Sequence, residues 1–161
     1  MEQNQSENKE QTQSVSFVVK FFATGFFSGY APFASGTVSS AVGLLFLLIP
    51  GFSVHLFIIP ATIVFFIIGG FVSGKMEQQF GQDPSIVTID EIVGMWLSLW
   101  FVPMTYMNVA LAFFIFRILD VLKPYPAGDF DKRRGGWNIM LDDVVAGLYT
   151  NIIIQIALRY I

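Results

Sequence analysis

The 161-residue chain contains no cysteine, only one histidine and few charged residues. Without cysteine there is no disulfide framework, no thiolate metal site and no cysteine nucleophile. With His55 as the only histidine, a phosphatase mechanism that needs paired histidines is also excluded. Charged residues make up 13% of the chain, against about 25% in ordinary globular domains. The net charge of −3 argues against a nucleic-acid partner, which would favour a basic protein.

Apolar residues are abundant instead, at 54% of the chain, and the mean hydropathy is +0.63. This leaves too little polar surface to coat a soluble particle of 18.0 kDa. The apolar runs do not alternate as they would in the strands of a membrane barrel, so helices are expected to bury them. The composition therefore predicts an all-α, polytopic membrane protein in contact with the bilayer.

The chain divides into a polar start and an apolar remainder. Residues 1–14 are predicted to be a polar, disordered tail, and residues 15–161 a single helical membrane domain. Segment 15–30 is interrupted by Lys20 and by glycines, which favours an N-terminal re-entrant or interfacial helix over a span. About 4–5 transmembrane helices are expected from the later apolar segments, 37–50, 52–74, 86–103, 104–122 and 140–161.

The basic residues predict the orientation of these helices in the membrane. Loop 123–138 contains four lysines and arginines, and loop 74–85 contains Lys75. Because basic loops favour the cytoplasm, both loops are predicted to lie there, with two spans between them. The same count of spans places loop 30–36 on that side and His55 on the opposite side.

Five carboxylates lie near the predicted cytoplasmic ends of three helices. They belong to Asp90, Glu91, Asp120, Asp142 and Asp143, and the topology brings them to one depth. Ionisable groups in a bilayer are costly, so five neighbouring acids indicate protonation or bound cations. Oxygen ligands without histidine or cysteine favour Mg²⁺ or Mn²⁺. Carboxylates around one or two such ions are typical of phosphoryl transfer.

Basic and hydroxyl residues that suit a phosphate accompany these acids. Arg117 and Asp120 are spaced i, i+3 on one helix, although this spacing is also typical of a simple helix salt bridge. Segment 24–37 is rich in small and hydroxyl residues and can bring backbone N–H groups close to an anion. The predicted substrate-binding residues are Arg117, Lys123, Thr24, Ser28, Ser35 and Thr37.

Several features keep two interpretations at this stage. Gly94 and Gly147 each follow an acid by four residues, which fits either close helix packing or room for an ion. Trp96, Trp100 and Trp137 are interpreted as anchors at the membrane interface. Intramembrane acids also occur in ion pathways, so the alternative function is a small ion-coupled transporter or channel component. A non-catalytic lipid-binding subunit is a third hypothesis.

Four stretches resemble the phosphatidylglycerophosphatase A family. They are TGFFSGYAPFASGT (24–37), SIVTIDEIVGMW (85–96), FRILDVLKPYP (116–126) and GGWNIMLDDVVAG (135–147). The resemblance implies a Mg²⁺-dependent lipid phosphatase of the bacterial inner membrane. Its implied reaction removes the terminal phosphate of phosphatidylglycerophosphate and leaves phosphatidylglycerol. The sequence leaves the oligomeric state open.

The resemblance also carries roles over to matching residues. The four catalytic candidates are Asp90, Glu91, Asp142 and Asp143, which would hold the metal together with Asp120 on the cytoplasmic side. Arg117 and Lys123 would bind the phosphate, and Glu91 is our candidate to take a proton from the attacking water. Two positions depart from the family pattern: Ser35 replaces a usual proline, and Ile89 replaces a frequent tryptophan.

Overall fold

The computed structural model describes residues 15–160, and the predicted disordered tail 1–14 lies outside this range. Within it every regular element is helical and no strand is present, which confirms the all-α prediction. The helices are α1 (Phe17–Ala23), α2 (Ser35–Leu45), α3 (His55–Phe80), α4 (Ile89–Ser98), α5 (Tyr106–Leu122), α6 (Ala127–Asp131) and α7 (Gly136–Tyr160). Two 3₁₀ turns, Ser28–Tyr30 and Phe46–Leu48, complete them.

Two helices are long and apolar enough to cross a membrane, α3 with 26 residues and α7 with 25. At 1.5 Å per residue each is roughly 38 Å long, which exceeds the hydrocarbon thickness of about 30 Å. Helix α1 has seven residues, so segment 15–30 does not span as a continuous helix. Helix α2 and its following 3₁₀ turn form a shorter apolar helix, Ser35–Leu48.

Helix α4 is shorter than the predicted span 86–103, so that boundary was wrong. The helix ends at Ser98, and the chain then turns through Phe101, whose φ is +60°, towards Pro103. Asn151 of α7 compensates for the broken helix by donating to the carbonyls of Ser98 (3.1 Å) and Trp100 (2.7 Å). Irregular backbone at membrane depth is tolerated where protein groups satisfy it in this way.

The core forms around α4, which packs against α2, α3 and α7. Trp96 of α4 is fully buried, and its indole N–H donates to the Gly43 carbonyl over 2.8 Å. The rings of Phe46, Phe52 and Phe65 pack edge-on against it. The interpretation of Trp96 as an interface anchor was therefore wrong, because its polar atom finds a partner inside the protein.

Glycines bring α3 and α7 into close contact near the start of α7. The Gly136 backbone lies against Gly70 and Gly74, and the Trp137 ring covers Gly70. A Cβ on Gly70 would lie 2.5 Å from Trp137 Cε3, so a larger side chain does not fit there. This contact places the first turns of α7, with Asp142 and Asp143, beside the last turns of α3.

Candidate active site

A polar cavity of about 390 Å³ lies where the start of α2, the start of α4, the end of α5 and the start of α7 meet. The predicted convergence of the five carboxylates is present, because all five line this cavity. Its walls are formed by Ala34, Ser35, Gly36, Asp83, Ser85, Val87, Thr88, Asp90, Glu91, Arg117, Asp120, Val121, Lys123, Asp142 and Asp143.

Local structure explains how α4 presents its acids. The backbone N–H of Thr88 donates to the Ala23 carbonyl over 2.9 Å, which ties the start of α4 to the end of α1. Asp90 and Glu91 occupy the first turn of α4. Carboxylates are favourable there because the positive end of the helix dipole and its free N–H groups lie nearby.

Arg117 connects two of the acids across the cavity. Its Nη1 donates to the Glu91 carboxylate and also contacts Asp120 Oδ2 at 2.9 Å. All three side chains are largely buried, with 12–17% of their surface exposed. The i, i+3 pair of Arg117 and Asp120 is therefore a salt bridge, and it is also part of the cavity wall.

Lys123 joins three elements at the edge of the cavity. It ends α5 with a φ of +44°, and its Nζ donates to Asp131 at the end of α6 and to Asp142 Oδ2 of α7 (2.8 Å). Burial acts to lower the pKa of Lys123, but the hydrogen bonds to Asp131 and Asp142 outweigh burial and raise it. The predicted phosphate ligand is thus a permanent cation held between two carboxylates.

Three carboxylates come close enough to share a cation. One oxygen from each of Glu91, Asp120 and Asp143 lies within 4.8 Å of the other two. Asp90 and Asp142, the other two predicted metal ligands, line the same cavity but do not belong to this group of three. Asp142 pairs with Lys123 and accepts from the Asp143 N–H over 2.9 Å. Asp90 faces the cavity from the first turn of α4.

Four polar atoms around the cavity are buried without a hydrogen-bond partner among residues 15–160. Six side-chain atoms in this part of the chain share that property, and four of them belong to cavity residues. A buried polar group without a partner costs about 1–3 kcal/mol, so their concentration here points to a polar ligand. The four are Thr88 Oγ1, Asp90 Oδ1, Arg117 Nε and Asp143 Oδ2.

The predicted hydroxyl ligands separate into two groups. Ser35 lines the cavity, and its hydroxyl donates to the Ser85 carbonyl over 3.2 Å. Thr24 and Ser28 are buried away from the cavity lining, where their hydroxyls donate to the carbonyls of Lys20 and Gly25. These two residues shape segment 24–37, and Thr37 is half-buried outside the lining.

Sequence reasoning missed several residues that the structure brings to the site. Ser40 donates to Glu91 Oε2 over 3.3 Å and to the Gly36 carbonyl over 2.9 Å. The sequence signal for Ser40 was its position four residues after Gly36, which places both residues on the same face of α2. Asp83 and Thr88 also line the cavity, but both lie in an irregular segment, where hydrophobic periodicity cannot predict which side chains face a site.

The sequence profile of the family described as Phosphatidylglycerophosphatase A matches residues 21–158 of this chain. The match covers all four stretches on which the resemblance was based, and it confirms that resemblance. No solved structure is significantly similar to the chain.

Three named relatives are similar to this chain over most of their length. A Bacteroides thetaiotaomicron protein named "Putative phosphatidylinositol-3-phosphatase" is 38% identical over 151 residues, covering 88% of this chain and 94% of its own. The Phosphatidylglycerophosphatase A of Escherichia coli is 35% identical, with 78% and 75% covered. The protein of that name from Haemophilus influenzae is 33% identical, with 88% and 89% covered.

Proposed function

The chain belongs to the phosphatidylglycerophosphatase A family and is therefore a phosphatase, and we propose that its substrate is phosphatidylglycerophosphate. The reaction hydrolyses the terminal phosphate monoester and yields phosphatidylglycerol and inorganic phosphate. One observation supports this most directly: four of the six unpartnered buried side-chain atoms among residues 15–160, the three clustered carboxylates and Arg117 all belong to residues that line a single cavity. All of these groups lie in the stretches that resemble the family: Thr88, Asp90 and Glu91 in 85–96, Arg117 and Asp120 in 116–126, and Asp143 in 135–147.

We propose that the cavity uses Mg²⁺. The fit rests on the donor set, since Glu91, Asp120 and Asp143 offer oxygens within 4.8 Å of one another and no soft ligand is near. The unpartnered oxygens of Asp90 and Asp143 add further acceptor capacity. When bound, Mg²⁺ neutralises phosphoryl charge and makes water more acidic.

The protein groups around the cavity have distinct tasks in this proposal. Arg117 presents its free Nε–H to a phosphoryl oxygen while Nη1 holds Glu91 and Asp120. Water attacks phosphorus in line, and Glu91 accepts its proton. The bond from phosphorus to the glycerol oxygen breaks, that oxygen takes a proton from solvent water, and Glu91 then releases the proton it accepted to the solvent. Lys123, held by Asp131 and Asp142, adds positive charge at the cavity edge.

The membrane arrangement we propose is a multi-pass protein of the bacterial inner membrane. Helices α3 and α7 supply two spans by length and composition. Additional crossings, for a total of about 4–5, would use α2, α5 and α4 with its irregular extension. The basic loop that follows Lys123 favours the cytoplasm for the end that carries the cavity.

One relative favours a second candidate substrate. The Bacteroides protein is 38% identical and is named for an inositol lipid phosphatase, and a phosphoinositide is also a membrane lipid with a phosphate monoester. A transporter or channel is less well supported, because Asp90 and Glu91 lie in the first turn of α4 and Asp142 and Asp143 in the first third of α7, whereas ion-coupling sites lie near the bilayer midplane.

The direct test is inorganic phosphate release by the full-length protein, purified in detergent. The substrates are phosphatidylglycerophosphate and phosphatidylinositol 3-phosphate, each with Mg²⁺ or with EDTA. We expect Mg²⁺-dependent release from phosphatidylglycerophosphate at the higher kcat/KM. Preference for the inositol lipid would support the second candidate, and no release from either would contradict both. His55→Ala is the control. His55 begins α3, where its ring packs against Phe101 beyond the end of α4, whereas the cavity lies at the start of α4.

A further inference from the structure

A second, apolar cavity opens between α2 and α5. Its volume is about 590 Å³, and apolar side chains form most of its surface. They include Ala41 and Leu44 on the α2 wall and Ala110 and Phe113 on the α5 wall. The lining residues that carry a hydroxyl group are Ser53, Thr105 and Tyr106, and they lie at the end remote from the active site. We refer to this cavity as the acyl groove, a name justified below.

The acyl groove continues the face of α5 that forms the active site. Arg117 and Val121 line the active-site cavity, while Phe113, Ala110 and Tyr106 line the groove. These positions are spaced by three or four residues, so they form one stripe along the helix. A ligand that contacts Arg117 with its polar end can therefore extend along the same face of α5.

The other wall of the groove comes from α2, which also contributes to the active-site cavity. Gly36 lines the active-site cavity, and Ala41 and Leu44 follow it into the groove. At the active-site end, α2 contacts the Arg117 side chain of α5, since a Cβ on Gly36 would lie 3.0 Å from Arg117 Nη2. Further along the two helices, the groove occupies the space between them.

The length of the groove fits one leaflet of a bilayer. Its α5 wall runs from Thr105 to Phe114, which is roughly 14 Å at 1.5 Å per residue. Half of the hydrocarbon thickness of a bilayer is about 15 Å. The groove thus begins one helical turn from Arg117 and is about as long as the hydrocarbon part of one leaflet, which is the length available to an acyl chain.

We propose that the acyl groove binds one acyl chain of the lipid whose phosphate monoester is hydrolysed at the active site. This inference rests on the proposed function. Moving a chain from the bilayer into an apolar groove changes its solvation little, so the groove acts by positioning. It aligns the headgroup with Arg117 and favours membrane lipids over soluble phosphate esters.

The test fills the groove and compares long with short acyl chains. Ala110 is exposed and lines the groove, so Ala110→Trp places a large side chain inside it. Leu111 is exposed but lies outside the groove, so Leu111→Trp is the matched control. The substrates are dipalmitoyl phosphatidylglycerophosphate and an analogue with butanoyl chains. We expect Ala110→Trp to lower kcat/KM for the long-chain lipid at least about tenfold more than for the short-chain analogue. Leu111→Trp should leave that ratio unchanged.

Three results would overturn the assignment. Equal losses on both substrates, or the same behaviour in both variants, would show that the groove does not select an acyl chain. A change from dimer to monomer in Ala110→Trp, measured by light scattering in detergent, would assign the groove to a second copy of the chain.

A second readout keeps this inference separate from the proposed function. Phosphatidylglycerol with a photoactivatable diazirine on one acyl chain should cross-link to residues 104–114 in the wild type and in Leu111→Trp, but far less in Ala110→Trp. If the wild type releases no phosphate yet shows this labelling, the proposed function fails and the acyl groove stands. If labelling of residues 104–114 were as strong in Ala110→Trp as in the wild type, the assignment of the groove to an acyl chain would be wrong.

Discussion

Gly94 of α4 and Gly147 of α7 lie backbone against backbone, one helical turn beyond Asp90 and Asp143. A Cβ on Gly147 would lie 2.5 Å from the Gly94 carbonyl oxygen, and a Cβ on Gly94 would lie 2.8 Å from the Asp143 carbonyl oxygen. Of the two interpretations that the sequence left open, these contacts support close helix packing. The pair sets the spacing between the two helices that carry all four catalytic candidates.

Gly147→Ala should therefore destabilise the protein and disturb the site together. The added methyl group forces α4 and α7 apart, which we expect to cost about 1–3 kcal/mol of unfolding free energy and to lower phosphate release. Thermal unfolding in detergent and the phosphatase assay measure the two effects. Gly74→Ala is the matched control, because its nearest neighbours would be 3.7 Å away. Equal stability of the two variants would contradict the packing role.

Arg117→Lys should separate the structural and the catalytic roles of Arg117. A single nitrogen, Nη1, makes both contacts to Glu91 and Asp120, so a lysine ammonium can replace them. The free Nε–H has no equivalent in lysine. We expect kcat/KM to fall about a hundredfold while the unfolding temperature changes little. Arg133→Lys, in an exposed loop, should retain activity, and full activity of Arg117→Lys would refute the phosphate-binding role.

Lys123 should stabilise the fold equally at neutral and alkaline pH. Its pKa is raised in the folded protein above the ordinary 10.5, so its contribution is complete below about pH 10.5 and declines only above that value. The unfolding free energy lost in Lys123→Met should be the same at about pH 7 and pH 9. Lys132→Met, in the exposed loop, gives the effect of removing a charge alone. A loss that shrinks towards pH 9 would contradict the bonds to Asp131 and Asp142.

Asn151→Leu should destabilise the end of α4 without touching the cavity. The substitution leaves the Ser98 and Trp100 carbonyls without the donor that now satisfies both, at an expected cost of about 1–2 kcal/mol. Gln155→Leu removes a 3.4 Å contact to the Trp100 carbonyl and a 2.7 Å hydrogen bond to Asn151 Oδ1, but it leaves both bonds from Asn151 to the carbonyls in place and should cost less. Unfolding in detergent compares the two variants. If the Gln155 change proved the more damaging, this account of the helix end would be incorrect.

The gathering of the acids could be predicted because charge is rare in this chain. In an apolar sequence each charged residue must lie at a helix end or inside a site, so the motifs around Asp90, Asp120 and Asp143 could be assigned to one end of the bundle. The same argument identified Arg117. Helical class and the two long helices followed from the length of the apolar runs.

The remaining features depend on contacts between distant residues. The end of α4 at Ser98 is stabilised by Asn151, 53 residues later, and no local signal marks it except Pro103. Trp96 is buried because Gly43 offers its carbonyl to the indole. The pairing of Lys123 with Asp131 depends on the short helix α6 folding back. Composition and periodicity do not contain these relationships.

The most direct test of the account is phosphate release by Asp143→Asn. Asp143 is 2% exposed, has an unpartnered oxygen and belongs to the three-carboxylate cluster. Removing a buried charge from beside Glu91 and Asp120 should leave the unfolding temperature unchanged or higher. Asp129→Asn, the same change at an exposed position of the short helix α6, is the control. We predict that Asp143→Asn loses at least about a hundredfold in turnover of phosphatidylglycerophosphate while Asp129→Asn retains it. A folded Asp143→Asn protein with wild-type turnover would contradict the assignment of this cavity as the active site.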